Sequence, residues 1–256
     1  MAMILQGKVV LVTGASRGIG RALARGFAAD GASVVAFARS AQDLHETTHG
    51  DTEHFLTVVG DVTSEADVHR LVATTYERFG QIDVLVNNAA MNGAGIGNQG
   101  DWLARPFRDW AAVIRVNLIG LALCTHRVLP GMITRGYGRV INLVSRAAEF
   151  PPPTLSAYAA SKAGVLSFTQ ALAAAVGPPL HPDILINALI PGLTDTAAYR
   201  EAGFDPAQAQ APEAVYPHTR FIVALPTGGP HGRVFWNSKE YTMYAPTNAL
   251  PPRPKH

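Results

Sequence analysis

Two kinds of hydrophobic pattern alternate along the chain. Short continuous runs rich in Val, Ile and Leu are typical of strands that are buried on both faces of a parallel sheet. Such runs predict strands at residues 8–13, 33–37, 55–59, 83–87, 139–144, 184–189 and 233–236. Between them, apolar residues recur at helical spacing, which predicts helices at residues 18–30, 40–49, 64–79, 107–135, 156–176 and 212–224. This alternation indicates an α/β fold with right-handed crossovers, in which helices cover both faces of a doubly wound parallel sheet of about seven strands.

The length of the chain suits one such sheet. With 256 residues, 48% of them hydrophobic, the chain can bury a sizeable core. There is no internal repeat and no linker, so we expect residues 1–244 to form a single domain. Within it, residues 194–216 are loop-like, contain Gly203 and Pro206, and could close over a ligand. Residues 245–256 are rich in proline and are expected to form an extended tail.

Composition narrows the classes of partner. The formal net charge is only +2 and no block of Lys and Arg occurs, which argues against nucleic-acid binding. No apolar run reaches the roughly 18 residues needed to cross a bilayer, so we expect no membrane association. The N-terminus lacks the features of a secretory signal, and the single cysteine, Cys124, fits a reducing compartment. These features together favour a cytoplasmic protein that binds a small molecule.

One short motif would indicate a different kind of site, a zinc site. Residues 45–49 read H-E-T-T-H and match the H-E-x-x-H pattern, in which two histidines one helical turn apart bind zinc. Thr47 and Thr48 are poor residues for a helix interior. No third ligand is recognisable, although His54 lies close in sequence. We therefore interpret the match as accidental and expect no metal site.

A glycine-rich turn follows the first predicted strand directly. Residues 13–20 read T-G-A-S-R-G-I-G and lead into the first predicted helix. Glycines at such a place permit a tight turn and let the backbone approach a pyrophosphate at the positive end of the helix. The spacing is G-x-x-x-G-x-G, which differs from the G-x-G-x-x-G of the common dinucleotide fingerprint.

This variant of the turn resembles that of the short-chain dehydrogenase/reductase family, whose members have a Rossmann fold. Residues 61–62 (D-V), 87–90 (N-N-A-A) and 191–196 (P-G-L-T-D-T) also match family positions, so that the resemblance covers about residues 7 to 196. It implies a nicotinamide cofactor. The residues that it implies for cofactor binding are Gly14, Ser16, Arg17, Gly18, Ile19, Gly20, Arg39, Ser40, Asp61, Val62, Asn88, Ala89, Tyr158, Lys162, Pro191, Gly192, Thr194 and Thr196.

The charge after the second predicted strand bears on which nicotinamide cofactor is bound. A carboxylate there would bind the ribose 2′-hydroxyl and repel a 2′-phosphate. The sequence has no acidic residue in this stretch until Asp43, whereas Arg39, together with Arg17 in the glycine turn, could bracket a phosphate. We expect NADP(H) to be preferred over NAD(H). The alternative is an NAD(H) enzyme in which both arginines are solvated surface residues.

The resemblance extends to a catalytic set. Tyr158 and Lys162 are four residues apart and therefore share one helix face. Ser145 follows the strand predicted at 139–144, and Asn117 lies in the preceding long helix. Tyr158 would exchange the substrate proton, and its pKa would be lowered by the Lys162 ammonium and by the positive oxidised nicotinamide. Lys162 would also hold the nicotinamide ribose. Ser145 would donate a hydrogen bond to the carbonyl oxygen, and Asn117 would hold a relay water.

Several departures from the family lie on the substrate side. Ala90 replaces a glycine, the stretch after Ser145 lacks another, and the C-terminal part has no V-D-G-G ending. Candidate pocket walls are residues 91–101, 146–155 and 194–216. Phe150, Leu155 and Leu193 favour a small-molecule carbonyl or alcohol substrate with an apolar body, and Arg146 could pair with a substrate carboxylate.

Two alternatives remain open at this point. A protein with this fold could bind the cofactor without turnover, as a sensor or scaffold, although it would be expected to lose Tyr158 or Lys162. The predicted helices at 107–135 and 156–176 carry apolar residues on more than one face, which favours a homodimer or homotetramer over a monomer. These apolar residues are Leu121, Leu123, Leu166, Phe168 and Leu172.

Overall fold

The computed structural model describes residues 5–92 and 106–244, and all of its strands belong to one eight-stranded sheet. The strands are β1 (Val9–Thr13), β2 (Ser33–Ala38), β3 (Phe55–Val59), β4 (Val84–Asn87), β5 (Gly138–Leu143), β6 (Ile184–Ile190), β7 (Val234–Trp236) and β8 (Lys239–Glu240). Their order across the sheet is β3-β2-β1-β4-β5-β6-β7-β8. Every neighbouring pair is parallel except β7 and β8, which form an antiparallel hairpin.

Helices connect the parallel strands. They are α1 (Gly18–Ala29), α2 (Ala41–Thr48), α3 (Glu65–Phe79), α4 (Phe107–Ile114), α5 (Leu121–Arg135), α6 (Ser156–Val176), α7 (Ala197–Glu201) and α8 (Tyr216–Val223). Short 3-10 turns lie at Arg146–Ala148, Pro206–Gln208 and Pro212–Val215. Local signals fix their ends. At α3, for example, the Ser64 hydroxyl accepts a hydrogen bond from the Asp67 N–H, and Gly80 ends the helix with φ of 71°.

The sheet is buried between two layers of helices. On one face, Leu23 and Phe27 of α1 pack in a core that also contains Ile222 of α8. On the other face, Leu71 of α3 packs in a core with Met132 of α5. All residues of β1, β4, β5 and β6 are buried. The predicted doubly wound α/β fold is therefore confirmed, with an added eighth strand, β8.

The helix predicted at 107–135 is continuous but not uniform. Residues Arg115–Gly120 form a π-helical turn between α4 and α5, a feature that often occurs at functional sites. The stretch Phe107–Arg135 is long and apolar enough to cross a membrane by length and composition alone. In this fold it packs on the sheet with Cys124 and Val128 buried, as a core helix does.

The segment 194–216 is more structured than expected. The sequence predicted a loop, because glycine and proline interrupt it. The structure shows instead α7, two 3-10 turns and a parallel bridge between Thr194 and Gln210. Near the start of the segment, Ala198 O of α7 accepts a hydrogen bond of 2.5 Å from the side chain of Asn92, a residue that follows β4. The predicted tail, 245–256, and the pocket-wall residues 93–101 lie outside the described residues.

Candidate active site

The carboxyl ends of the seven parallel strands lie at one edge of the sheet, where α/β proteins bind their ligands. There the side chain of Asn88, after β4, donates to Thr13 O (2.9 Å) and Gly14 O (3.1 Å) at the end of β1. The Thr13 hydroxyl accepts hydrogen bonds from the backbone N–H groups of Asn88 and Ala89, both at 3.1 Å. Asn88 and Ala89 therefore fix the end of β1 and the start of the glycine turn by hydrogen bonds.

The glycine turn is too tight for side chains. A Cβ on Gly20 would lie 2.1 Å from Gly14 O, and one on Gly14 would lie 2.8 Å from the Ala89 Cα. Gly14 and Gly18 also have φ values of 67° and 53°, which favour glycine. The first turn of α1 contains no acidic residue. Its N-cap residue is Arg17, whose side chain makes no capping hydrogen bond. The positive end of this twelve-residue helix is thus open to an anion, which fits a pyrophosphate.

The adenosine side of the predicted site is mostly polar and solvated. Arg39 is exposed directly after β2, as is Arg17 in the turn. The Ser40 hydroxyl caps α2 by accepting from the Asp43 N–H (3.2 Å). Asp61 Oδ1 accepts from the Thr63 backbone N–H, at 2.8 Å. Ser40 and Asp61 therefore have structural partners, whereas the two arginines are accessible to a ligand.

Two other predicted cofactor residues contribute through packing. The Val62 side chain is buried, and a Cβ on Gly120 would lie 2.7 Å from its Cγ2. Val62 thus packs on the π-helical turn at Arg115–Gly120. Ile19 packs against the core from the first turn of α1. Ser16 lies in the glycine turn, and its carbonyl accepts a hydrogen bond from Arg21 Nε (3.0 Å).

Ser145, Tyr158 and Lys162 come together at the carboxyl end of β5. Ser145 begins the 3-10 turn Arg146–Ala148, and its Oγ accepts from the Ala147 N–H at 3.1 Å. Ser145 and Tyr158 are hydrogen-bonded to each other. Lys162 Nζ lies 5.6 Å from the centre of the Tyr158 ring and donates to Leu143 O at 2.7 Å. The predicted hydroxyl, phenol and ammonium are therefore neighbours.

Burial dominates the ionisation of this group. It raises the pKa of Tyr158, an effect that the hydrogen bond with Ser145 partly offsets. Burial also lowers the pKa of Lys162 to about 8, because the ammonium is taken out of water. From the sequence we expected Lys162 and the oxidised nicotinamide to lower the pKa of Tyr158. Within the protein itself, burial has the larger effect and raises this pKa. A tyrosine that keeps its proton at neutral pH is suited to donating it.

Asn117 lies in the π-helical turn, and both polar atoms of its side chain have hydrogen-bond partners. Its Nδ2 donates to Met91 O (2.8 Å) and Ser161 Oγ (2.9 Å), while its Oδ1 accepts from the Met91 N–H (2.8 Å). The Ser161 hydroxyl in turn donates to Tyr158 O at 2.7 Å. Both N–H donors of the amide are therefore occupied, and a relay water at Asn117 would have to donate to one of its oxygen atoms. Sequence reasoning missed Ser161, whose only signal was a small polar residue on an apolar helix face.

The loop after β6 closes the site beside the glycine turn. Thr196 caps α7 by accepting from the Tyr199 N–H (3.1 Å), and a Cβ on Gly18 would lie 3.1 Å from its methyl group. Thr194 is buried, and its hydroxyl donates to Gly192 O at 3.3 Å. Pro191 and Gly192 precede it, with Gly192 at φ of 79°. Thr196 thus reaches the glycine turn, and Pro191, Gly192 and Thr194 lie in the loop that leads to it.

The histidine motif lies on α2, after β2 and away from Tyr158. Both Thr47 and Thr48 are buried in this helix, and the Thr47 hydroxyl donates to Ala15 O at 2.9 Å. His49 ends the helix, and its Nε2 lies 2.7 Å from Arg25 Nη2, so it accepts a hydrogen bond from a guanidinium. Among residues 5–92 and 106–244, no group of three or more His, Cys, Asp and Glu side chains could hold a metal ion.

Comparisons with known proteins agree with this geometry. The family model described as short chain dehydrogenase matches residues 8–206. A 2-(R)-hydroxypropyl-CoM dehydrogenase of Xanthobacter autotrophicus is 38% identical over 193 residues, which are 74% of this chain and 75% of that protein. A 3-oxoacyl-[acyl-carrier-protein] reductase of Synechocystis sp. is 35% identical over 233 residues, 87% of this chain and 91% of its own.

Solved structures show the same architecture. A variant actinorhodin polyketide ketoreductase with NADPH superposes with a TM-score of 0.81, at 28% identity, over 93% of this chain and 97% of that one. A 3-ketoacyl-(acyl-carrier-protein) reductase from Brucella melitensis, complexed with NADH, gives a TM-score of 0.80 at 28% identity, over 91% and 97%. The two neighbours thus hold different nicotinamide cofactors on one fold.

Proposed function

The chain belongs to the short-chain dehydrogenase/reductase family of oxidoreductases, and from this premise we propose that it interconverts a carbonyl compound and a secondary alcohol with NADP(H). The observation that carries the proposal is the contact between Ser145 and Tyr158, with Lys162 beside them. This group lies at the same sheet edge as the glycine turn, so a substrate carbonyl and a bound dinucleotide can meet there.

The glycine turn and the loop after β6 would hold the cofactor. The open N-terminus of α1 would bind the pyrophosphate, and Pro191, Gly192, Thr194 and Thr196 would lie along the nicotinamide end. The bound nicotinamide supplies the hydride. Lys162 would bind its ribose as well as Leu143 O, since an ammonium has three N–H donors and one of them is used.

The protein groups would handle the proton and the developing charge. Tyr158 donates its phenolic proton to the oxygen of the carbonyl as that oxygen becomes an alkoxide. The Ser145 hydroxyl donates a hydrogen bond to the same oxygen, which stabilises the negative charge. Asn117 and Ser161 fix the backbone at Tyr158 through the chain of hydrogen bonds described above. In the oxidation direction the same groups act in reverse, with Tyr158 as the base.

The preference for NADP(H) rests on charge. Arg39 and Arg17 are exposed near the end of β2 and in the glycine turn, where a 2′-phosphate would lie, and guanidinium groups pair well with phosphate. The second candidate is the same reaction with NAD(H), and the NADH-bound Brucella neighbour supports it. Measuring the affinities for NADPH and NADH with the wild type and Arg39→Asp separates the two. An unchanged preference in Arg39→Asp would exclude the role given to Arg39, and Arg78→Asp, an exposed arginine of α3, is the control.

The substrate would be a small carbonyl compound or alcohol with an apolar body. Leu155 is buried, Phe150 is half-buried, and Leu193 is 58% exposed. Arg146 is stacked among aromatic rings, 4.7 Å from the Phe150 ring and 5.1 Å from the Trp236 ring. The names of the relatives, which include reductases of 3-oxoacyl and polyketide compounds, support a ketone substrate.

The activity test is the oxidation of NADPH, followed by absorbance, against a panel of aliphatic and aromatic ketones. We expect turnover with the wild type and a loss of at least about 1000-fold in Tyr158→Phe, which lacks the proton donor. Tyr137→Phe, a tyrosine at the amino edge of the sheet, is the matched control. Tight NADPH binding without turnover of any ketone would favour the alternative, a non-catalytic sensor or scaffold.

We also propose a homodimer or homotetramer in the cytoplasm. Of the apolar residues that suggested an interface, two are buried within the subunit (Leu121 and Leu166) and three are half-buried (Leu123, Phe168 and Leu172). Two further residues of the long helix, Ile119 and Phe107, are 54% and 67% exposed and could meet a second subunit. Light scattering coupled to size exclusion measures the assembly, and a monomer at micromolar concentration would refute it. Fractionation of cells that contain the tagged protein tests the location.

A further inference from the structure

The C-terminal hairpin contacts the turn that carries Ser145. The hydroxyl of Tyr241 donates a hydrogen bond of 2.8 Å to Glu149 Oε2. The Tyr244 N–H donates to Glu149 Oε1 at 2.7 Å, and the Tyr244 hydroxyl donates to Ala148 O at 2.8 Å. Both oxygens of one carboxylate and one carbonyl of the turn are therefore held by residues that follow β8.

Aromatic packing reinforces these hydrogen bonds. Trp236, the last residue of β7, and Tyr241 pack edge to face with ring centres 5.3 Å apart. The Arg146 guanidinium lies over the Trp236 ring at 5.1 Å and over the Tyr241 ring at 6.0 Å. Trp236 also reaches the loop after β6, since a Cβ on Gly192 would lie 3.6 Å from its Nε1. The hairpin thus bridges the loops that follow β5 and β6.

The turn itself is short and is held by backbone hydrogen bonds, from the Ala148 N–H to Ser145 O at 3.0 Å and from the Phe150 N–H to Arg146 O at 2.8 Å. It is a 3-10 helix of three residues, a class with weak hydrogen-bond geometry. The Ser145 Oγ is oriented by accepting from the Ala147 N–H, within this turn. A shift of the turn would therefore shift the hydroxyl that faces Tyr158. The contacts of the hairpin at Ala148 and Glu149 add to these internal bonds and oppose that shift.

We propose that Glu149, Tyr241 and Tyr244 are positioning residues, which hold the Ser145 hydroxyl where the carbonyl oxygen forms its charge. The inference rests on the proposed function and deepens it. It assigns a role to residues 237–244, which lie in the part of the chain where the sequence departs from its family. The same contacts place Trp236 and Tyr241 between the loops that follow β5 and β6.

The first experiment compares the double variant Tyr241→Phe/Tyr244→Phe with the wild type. It keeps both rings and removes both hydroxyl donors. We expect kcat to fall about tenfold or more, because small misplacements of a catalytic group are costly, with the Kd for NADPH unchanged. Tyr137→Phe should leave kcat unchanged. Glu149→Gln, which keeps an acceptor oxygen, should retain more activity than Glu149→Ala.

The second experiment repeats the double variant in a Ser145→Ala background. If the two tyrosines act through Ser145, they should lower kcat little or not at all once the hydroxyl is gone. An equal fold-loss in both backgrounds, or no loss in either, would overturn the proposal. If the double variant does not fold, Tyr244→Phe alone is used, since it leaves the bond from Tyr241 to Glu149 intact.

A third measurement does not depend on turnover. Amide hydrogen exchange at Ala147, Ala148, Glu149 and Phe150 reports the order of the turn. In the double variant we expect faster exchange there and unchanged exchange in α1. If the wild type proves inactive, the proposed function fails, and exchange still decides the positioning role: faster exchange supports it and unchanged exchange overturns it.

Discussion

Replacing Lys162 by methionine should make the cofactor-free protein more stable while it abolishes turnover. Lys162 is only 3% exposed, and burial lowers its pKa from the ordinary 10.5 to about 8. At about 1.4 kcal/mol for each pKa unit, keeping this ammonium buried at neutral pH costs about 3 kcal/mol. Methionine fills a similar volume without charge. It leaves Leu143 O without its 2.7 Å partner, a loss of about 1 kcal/mol, so the net gain is about 2 kcal/mol.

The pH dependence of the stability difference between the two proteins tests whether the buried charge of Lys162 is its cause. Below pH 8 both the folded and the unfolded protein carry the protonated lysine, and the full cost is present. Between about 8 and 10.5 the unfolded chain binds more protons, so the stability of the wild type rises with pH in this window. The advantage of Lys162→Met should therefore shrink over this window and become a deficit of about 1 kcal/mol above it, because only the lost bond to Leu143 O then remains.

Urea unfolding of both proteins at neutral pH and near pH ~10.5 provides the assay. Tyr158 is present in both, so its own titration cancels in the difference. A variant that is less stable than the wild type at neutral pH would refute the reasoning. So would an advantage that stays constant up to pH ~10.5.

The remaining predictions concern Ser145 and two glycines. Ser145→Ala should lower kcat by about 100-fold to 1000-fold with the Kd for NADPH unchanged; a normal kcat would remove Ser145 from the site. Gly20→Ala should prevent NADPH binding, measured by fluorescence, because its Cβ would meet Gly14 O at 2.1 Å; wild-type affinity would contradict this. Gly26→Ala should lower the free energy of unfolding by about 1–3 kcal/mol, because its Cβ would lie 2.4 Å from the Tyr216 ring; an unchanged urea midpoint would contradict that.

The parallel core of the fold could be predicted because its signals are local. The continuous apolar runs of β1 to β7 and their flanking turns placed these strands within a residue or two of their observed bounds. β8 has two exposed residues, Lys239 and Glu240, which carry no such pattern. α7 has only five residues, and the glycines and prolines around it obscure the capping signal of Thr196.

The candidate site likewise has a part that the sequence predicts and a part that only the structure reveals. Tyr158, Lys162 and Ser145 lie at fixed offsets from predictable elements, so the sequence indicates that they converge. The contacts of Glu149 with Tyr241 and Tyr244 span more than ninety residues, and only the three-dimensional fold brings them together. The direction in which the pKa of Tyr158 shifts likewise depends on burial, which the spacing of residues in the sequence does not reveal.

Transfer of a deuterium label tests the central claim most directly. The protein is incubated with a reactive ketone and with NADPH that carries deuterium in both C4 positions. We predict an alcohol with deuterium on its carbinol carbon, in the wild type and in Tyr137→Phe but not in Tyr158→Phe. An unlabelled alcohol, or an equal yield of labelled alcohol from Tyr158→Phe, would contradict the account of hydride transfer assisted by this tyrosine.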